Sequence, residues 1–194
     1  MEIQISFGLA EAHRTQAAVL FWDAFRGKLG KLMGLDPLAI TFFTAALDPN
    51  YVFTATDDTG KLIGLAGFKT AQGAFTDGSF ADLQSVYGLW GAIWRAIMLG
   101  FFDRPVAPGI LLMDAICVAK AARGQSVGTR LLDAIKAEAK RQGLSQVRLD
   151  VIDTNPRARA LYEKQGFVAG KTKSAWPLRR LLGFNSSTTM VWTA

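Results

Sequence analysis

The period of the hydrophobic positions changes several times along the chain, and each change marks an element. Residues 1–7 alternate as a short strand does. Residues 11–26 instead place Val19, Trp22 and Phe25 on one helical stripe. Residues 27–34 hold three glycines and two lysines and read as a loop. Asp36 before Pro37 predicts a second helix, with Asp36 as cap and Pro37 in the first turn, ending near Asp48-Pro49. Two β-prone runs, 51–56 and 61–68, flank the turn formers Asp57-Asp58-Thr59-Gly60 and predict a hairpin.

The stretch 73–105 is less ordinary. Ser79-Phe80-Ala81-Asp82 has the form of a capping box, and Phe80, Leu83, Tyr87, Trp90, Trp94, Ile97 and Phe101 follow three or four apart. The opposite side is also largely apolar, with Leu89, Ile93 and Met98. A membrane span needs about 20 mostly apolar residues. Asp82, Gln84 and Arg95 interrupt this one, so the expectation is a core or interface helix without stable membrane insertion.

Residues 110–118 form a nearly continuous apolar run, as in a strand covered on both faces. After a glycine-containing turn, residues 129–141 place Leu131, Leu132, Ile135 and Ala139 on one helical face, stopping at Gly143. Val147, Leu149 and Val151 alternate with Arg148 and Asp150 as a further strand. Asn155-Pro156 opens a helix that Gly166 ends, and 167–173 and 187–193 read as closing strands.

Composition narrows the function. A chain of 194 residues, half of them hydrophobic, suits one domain with a sizeable core. The single cysteine, Cys117, leaves no internal disulfide, and without a signal-type start the expected setting is cytoplasmic. The lone His13 lacks partners at metal-ligand spacing, so no metal is expected. The net charge of +6 favours anionic partners, but the basic residues are scattered and no Lys/Arg block interleaves with aromatics. Nucleic acid is therefore not expected as a partner.

The chemistry concentrates in Arg123-Gly124-Gln125-Ser126-Val127-Gly128-Thr129, which lies between a strand and a helix. There main-chain N–H groups converge and the helix start adds partial positive charge, so a diphosphate is the ligand to expect. One strand downstream stands Asn155-Pro156-Arg157-Ala158-Arg159-Ala160-Leu161-Tyr162-Glu163-Lys164-Gln165-Gly166-Phe167.

With these two motifs in register, the chain resembles the GNAT superfamily of acyl-CoA-dependent N-acyltransferases, most clearly over residues 112–167. There a Gln/Arg-x-x-Gly-x-Gly/Ala turn binds the coenzyme A pyrophosphate, and Asn followed by Leu-Tyr-Glu-x-x-Gly-Phe lies downstream. Arg123 and Gly128 match the turn, while Ser126 stands where a glycine is usual; a Cβ is tolerated there if the backbone is helical. The resemblance implies an α/β fold with a mixed, mostly antiparallel sheet, a splayed parallel central pair and helices on both faces. The chain would be one such domain, with a long apolar helical insertion at 73–105.

It also implies acetyl-CoA as acyl donor and a primary amine of a small molecule or peptide as acceptor. Ile116, Cys117 and Val118 would offer backbone bonds to the pantetheine. Residues 123–129 would hold the diphosphate, Asn155 would bond the pantetheine arm, and Tyr162 would protonate the departing thiolate.

Each residue also has a plainer reading. Asn155 is a good helix cap, Tyr162 a packing residue, and Arg157 and Arg159 solvated charges that could meet a coenzyme phosphate. Cys117 lacks a base to activate it as a covalent nucleophile. Asp114, inside an apolar strand, is either the general base or a hydrogen-bonded strand carboxylate, with Asp150 as runner-up. Trp22, the 27–34 loop and the 80–102 helix would form a hydrophobic acceptor wall, or that helix a homodimer interface. Alternatives are a non-catalytic acyl-CoA sensor, for which Tyr162 has no use, and a nucleic-acid or membrane-surface protein drawing on charge and tryptophans.

Overall fold

In the computed structural model, residues 2–100, 104–177, 179 and 183–194 are described. The elements are β1 (Gln4–Phe7), α1 (Arg14–Met33), α2 (Asp36–Ala46), β2 (Val52–Thr56), β3 (Leu62–Lys69), α3 (Phe80–Gly100), β4 (Ile110–Val118), α4 (Val127–Arg141), β5 (Gln146–Ile152), α5 (Pro156–Lys164), β6 (Val168–Ser174) and β7 (Ser186–Thr193). The predicted reach of the first strand to Met1, and of the long helix to Phe101 and Phe102, lies outside the described residues.

The seven strands form one sheet in the order β1-β2-β3-β4-β5-β7-β6. Only β4 and β5 pair in parallel; every other neighbour is antiparallel. One face carries α1, α2 and α3, with Phe21, Trp22, Phe43 and Phe75 in its core. The other carries α4 and α5, whose Leu131, Leu132, Ile135 and Tyr162 pack on Leu111, Val147 and Leu149. The expected mixed sheet, with helices on both faces, is the fold observed.

The alternation in β5 reads directly as buried Val147, Leu149 and Val151. In α4, Leu131, Leu132, Ile135 and Ala139 are fully buried, as their spacing dictates. Asn155 caps α5, its Oδ1 accepting from the Ala158 N–H at 3.2 Å. The box before α3 is also real: Ser79 Oγ accepts from the Asp82 N–H, and the Asp82 carboxylate accepts from the Ser79 N–H.

Several local readings need correction. Residues 27–34 are not a loop, because α1 runs unbroken to Met33 and stops only at Gly34, whose φ is +77°. Leu29, Leu32 and Met33 are buried there, and that packing outweighs the roughly 1 kcal/mol that each of Gly27 and Gly30 costs in a helix. Val19 is 39% exposed, and its place on the buried stripe belongs to Phe21. Asp36 does not cap α2. Its carboxylate accepts from Trp22 Nε1 at 3.0 Å and pairs with Arg26 at 2.9 Å, tying α2 to α1. The long helix α3 is kinked at Gly88, which has φ +68° and ψ 173°.

Candidate active site

The site begins where the central strands part. Strands β4 and β5 are in register at Ile110↔Gln146, Leu111↔Val147 and Leu112↔Arg148, and not beyond. From Met113 onward the β5-facing edge of β4 has no strand partner among the described residues. A cleft of about 260 Å³ occupies the gap, and Ile116, Asn155 and Tyr162 are among its lining residues. An extended amide-bearing molecule could pair with that open edge as an added strand does.

A β-bulge makes the divergence. Gly67 pairs with Ala115 and Phe68 with Met113, so Asp114 is an extra residue on β4. Before the bulge, Leu111 and Met113 pack toward α4 and α5; after it, Ala115 and Cys117 pack toward α1 and α2. Ile116 and Val118 are thereby turned to the α4/α5 side. The Cys117 thiol is buried, and burial pushes its pKa well above the usual thiol range, so it is inert as a nucleophile.

At the end of β4 lies the predicted anion turn. Ser126 precedes α4 in the left-handed conformation, φ 61° and ψ 10°, the one non-glycine residue with positive φ among those described. The helical backbone that would excuse a Cβ there is therefore left-handed, a conformation that glycine adopts more cheaply. Gly124 also has positive φ, +84°, with open space where a Cβ would be. The N–H groups from Gly124 through Thr129 donate to no acceptor among the described residues. The first N–H groups of α4 have no partner within the helix. Six successive donors at a helix start, on a solvent-exposed turn, form an anion nest.

The flanking side chains brace this turn. Arg123 Nε donates to the Val118 carbonyl at 3.2 Å, and Gln125 Nε2 to the Ala121 carbonyl at 3.0 Å. Gly128 serves packing as well as the turn, since a Cβ there would lie 3.1 Å from Leu161 Cδ2 on α5. Arg159 is taken up by Glu163 at 2.9 Å, the solvated reading of that residue.

Tyr162 is buried beside the cleft, its ring 5.9 Å from that of Phe167. Burial, and secondarily Cys117 nearby, raises its pKa well above the ordinary phenol range, so the hydroxyl keeps its proton. A neutral phenol in such a place can donate one.

A second cavity of about 330 Å³ adjoins the cleft. Its apolar wall comes from Phe21 and Phe25 of α1, Phe42 and Phe43 of α2, and Leu99 of α3. Trp22 is not part of it, being fully buried against Asp36. Two of the large apolar residues of α3 point to solvent instead: Trp90 is 81% and Ile97 61% exposed. Three residues, Phe25, Lys28 and Asp114, line both the cleft and this cavity.

At that junction Arg104 joins two carboxylates, donating to Asp150 Oδ2 at 2.6 Å and standing 3.5 Å from Asp114 Oδ1. Burial pushes the Asp150 carboxyl upward, but the Thr189 hydroxyl and Arg104 outweigh it and hold the group below the usual carboxylate range. Lys28 is depressed to about 8, first by burial and then by Arg104, with Asp150 and Asp114 pulling the other way. Sequence reading missed Lys28 and Arg104. Continuing the Phe21, Phe25, Leu29, Leu32 spacing through the supposed loop would have placed Lys28 on a helix.

Among the described residues, no group of three or more His, Cys, Asp or Glu side chains is placed to hold a metal ion. None of their helices is long and apolar enough to cross a membrane.

The model of the acetyltransferase (GNAT) family matches residues 16–167. Among solved structures, the ribosomal-protein-S18-alanine N-acetyltransferase from Escherichia coli is similar with TM-score 0.61 and 18% identity, over 99% of this chain and 94% of that one. A GCN5-related N-acetyltransferase from Kribbella flavida gives 0.62 and 19%, over 99% and 98%. The PaiA N-acetyltransferase from Thermoplasma acidophilum, in complex with coenzyme A, gives 0.60 and 12%, over 100% of both chains. At these identities the likeness is one of fold.

Proposed function

The chain belongs to the GNAT acetyltransferase family, and from that premise we propose that it transfers an acetyl group from acetyl-CoA to a primary amine by direct attack in a ternary complex. Acetyl-CoA is the acyl donor used by the family. The observation that carries the assignment of its place is the parting of β4 and β5 after Leu112↔Arg148, which leaves an open strand edge leading to the N–H row from Gly124 to Thr129. In this reading the main chain at Ile116, Cys117 and Val118 pairs with the pantetheine amides. The nest from Arg123 to Thr129 holds the diphosphate, and Asn155 reaches the pantetheine arm while capping α5.

The acceptor amine enters from the cavity walled by Phe21, Phe25, Phe42 and Phe43. Holding amine and thioester side by side supplies proximity, which reaches about 7–11 kcal/mol in well-oriented pairs. An incoming ammonium gives up a proton, directly or through water, to Asp114, which lies where the two spaces meet. The amine nitrogen then bonds to the acetyl carbon, and the main-chain N–H of Val118, on the β5-facing edge, steadies the developing oxyanion. As the carbon–sulfur bond breaks, Tyr162 donates its proton to the sulfur.

The test is release of coenzyme A thiol from acetyl-CoA over a panel of amines, with calorimetry of acetyl-CoA binding alongside. Binding with amine-dependent thiol release is expected. Absence of binding would remove the proposed donor site, and binding without turnover for any amine would remove the proposed activity.

A further inference from the structure

The kink in α3 turns its largest side chains outward. Before it, Leu83 is buried and Tyr87 packs on the core shared with α1 and α2. An unbroken helix would continue that inward face through Trp90 and Trp94, three and seven residues beyond Tyr87. Gly88, at φ +68° and ψ 173°, resets the phase instead. After it, Ala92 is buried and Ala96 and Leu99 join the core, so the bulky residues are carried to the other side. A Cβ at Gly88 would meet nothing within 4 Å, so glycine is needed there for its backbone angle and not for room.

The outward side of residues 89–100 is an apolar stripe. Trp90, Ile93, Trp94 and Ile97 recur at i, i+3, i+4 and i+7, the spacing of side chains that interdigitate with a facing helix. Trp90 is 81%, Ile97 61%, Leu89 50% and Trp94 40% exposed. The one charged residue of this arm, Arg95, is directed inward. Its guanidinium carbon lies 3.8 Å from the centre of the Tyr87 ring, and its Nη1 donates to the Gly91 carbonyl at 3.1 Å. The exposed Leu35 extends the apolar surface toward α2, beside Gly34, where a Cβ would stand 3.6 Å from Arg95 Nη2.

We propose that this stripe is the interface of a homodimer in which α3 packs on α3 of a second copy about a two-fold axis. The inference stands apart from the acetyl transfer proposed above. At about 150–250 Å² for a whole large side chain, the exposed parts of Leu89, Trp90, Trp94 and Ile97 come to roughly 500 Å². A standard interface hides about 800 Å² on each partner, a little over half of it apolar. The stripe alone supplies that apolar share. An anionic lipid surface would call for cations flanking the apolar face, and Arg95 is turned away from it. A face without charge gives nothing to select a different protein, but it complements itself: with the axis at mid-stripe, Trp90 of one copy meets Ile97 of the other.

Sedimentation equilibrium of the full chain tests this. The parent should behave at micromolar concentration as a particle of twice the chain's 21.1 kDa. Trp90→Glu and Ile97→Glu should each raise the dimer dissociation constant at least about 100-fold, because the symmetry brings every new charge into the contact twice. Both positions are exposed in the single copy, so far-UV circular dichroism should match the parent's. Trp90→Ala and Ile97→Ala, which add no charge, give the same reading where a glutamate disturbs the fold. Val168→Glu, on the exposed edge strand β6, should leave the dimer intact. A parent that stays monomeric at every concentration up to its solubility overturns the proposal. If that monomer also sediments with phosphatidylglycerol vesicles and Trp90→Glu abolishes this, the stripe belongs to lipid instead. A dimer that none of the substitutions at Trp90 and Ile97 weakens overturns it equally, since the contact then lies elsewhere.

Discussion

Arg104 holds Asp150 of β5 at 2.6 Å, at the mouth of the gap where β5 leaves β4. The same guanidinium stands 3.5 Å from Asp114 on the other strand. One cation thus spans the two strands beyond the point where their hydrogen bonds cease. All three side chains are less than a third exposed, so solvent screens the pair incompletely. Arg104→Gln should lower stability by about 1.5–3 kcal/mol, the range for a charge-assisted bond lost with its partner left in place. Urea unfolding should show a lower midpoint at constant m. An unchanged midpoint would mean that the splay stands without this tie.

Tyr162→Phe removes the hydroxyl and keeps the ring that packs on Phe167. Turnover should fall about 10²-fold or more, the range for a lost general acid, with acetyl-CoA affinity and melting temperature little changed. Turnover equal to the parent enzyme would remove Tyr162 from the role of proton donor.

The pH dependence of stability follows from Lys28. Its folded pKa, about 8, lies below the ordinary lysine value of 10.5, so between those values the unfolded chain binds more protons. Stability should therefore rise with pH across about 8 to 10.5 through this group. The charged groups acting on it are Arg104, Asp150 and Asp114. Lys28→Met should flatten that part of the curve, measured as urea midpoints at pH 7.5, 9 and 10. A slope identical to the parent's would show that another group is responsible.

Ser126 holds φ 61°, a conformation that costs a residue with a Cβ about 1–2 kcal/mol. Ser126→Gly should raise the melting temperature by about 2–4 °C per kcal/mol recovered while preserving acetyl-CoA affinity. Ser126→Val should do the opposite in both thermal unfolding and calorimetry. A stabilising valine would contradict the left-handed turn.

Gly128→Val tests the same turn from the helix side. A Cβ at Gly128 meets Leu161 at 3.1 Å before any ligand is considered. The branched side chain should push α4 from α5, weakening acetyl-CoA binding and lowering the melting temperature together. Lost affinity with unchanged melting would place the clash on the ligand alone.

Much of this was legible because it depends on short-range rules. Asn155-Pro156 capped a helix, Ser79 and Asp82 formed a box, and Val147, Leu149 and Val151 faced inward, each as local chemistry dictates. Motif spacing picked out the turn that carries the row of N–H groups and residues that line the cleft, Ile116, Asn155 and Tyr162. The acceptor side was not legible. Gly27 and Gly30 imitate a loop, and only the burial of Leu29, Leu32 and Met33 against distant elements keeps α1 helical through them. Lys28 was hidden with that segment. Asp36 looked like a cap because its bond to Trp22, 14 residues earlier, cannot be read from neighbours. The kink at Gly88 likewise broke an even aromatic stripe into two arms, and the cavity wall comes mostly from Phe21, Phe25, Phe42 and Phe43, with Leu99 from α3.

The surplus residue at Asp114 has a consequence for the protein's own survival. Strict alternation would have put Cys117 on the side of Met113, where Tyr162 sits. A sulfur there would compete with the incoming nitrogen and risk carrying off the acyl group by exchange. By advancing the strand one step, the bulge turns that sulfur into the layer of α1 and α2, which in the proposed reaction would keep it from competing for the acyl group.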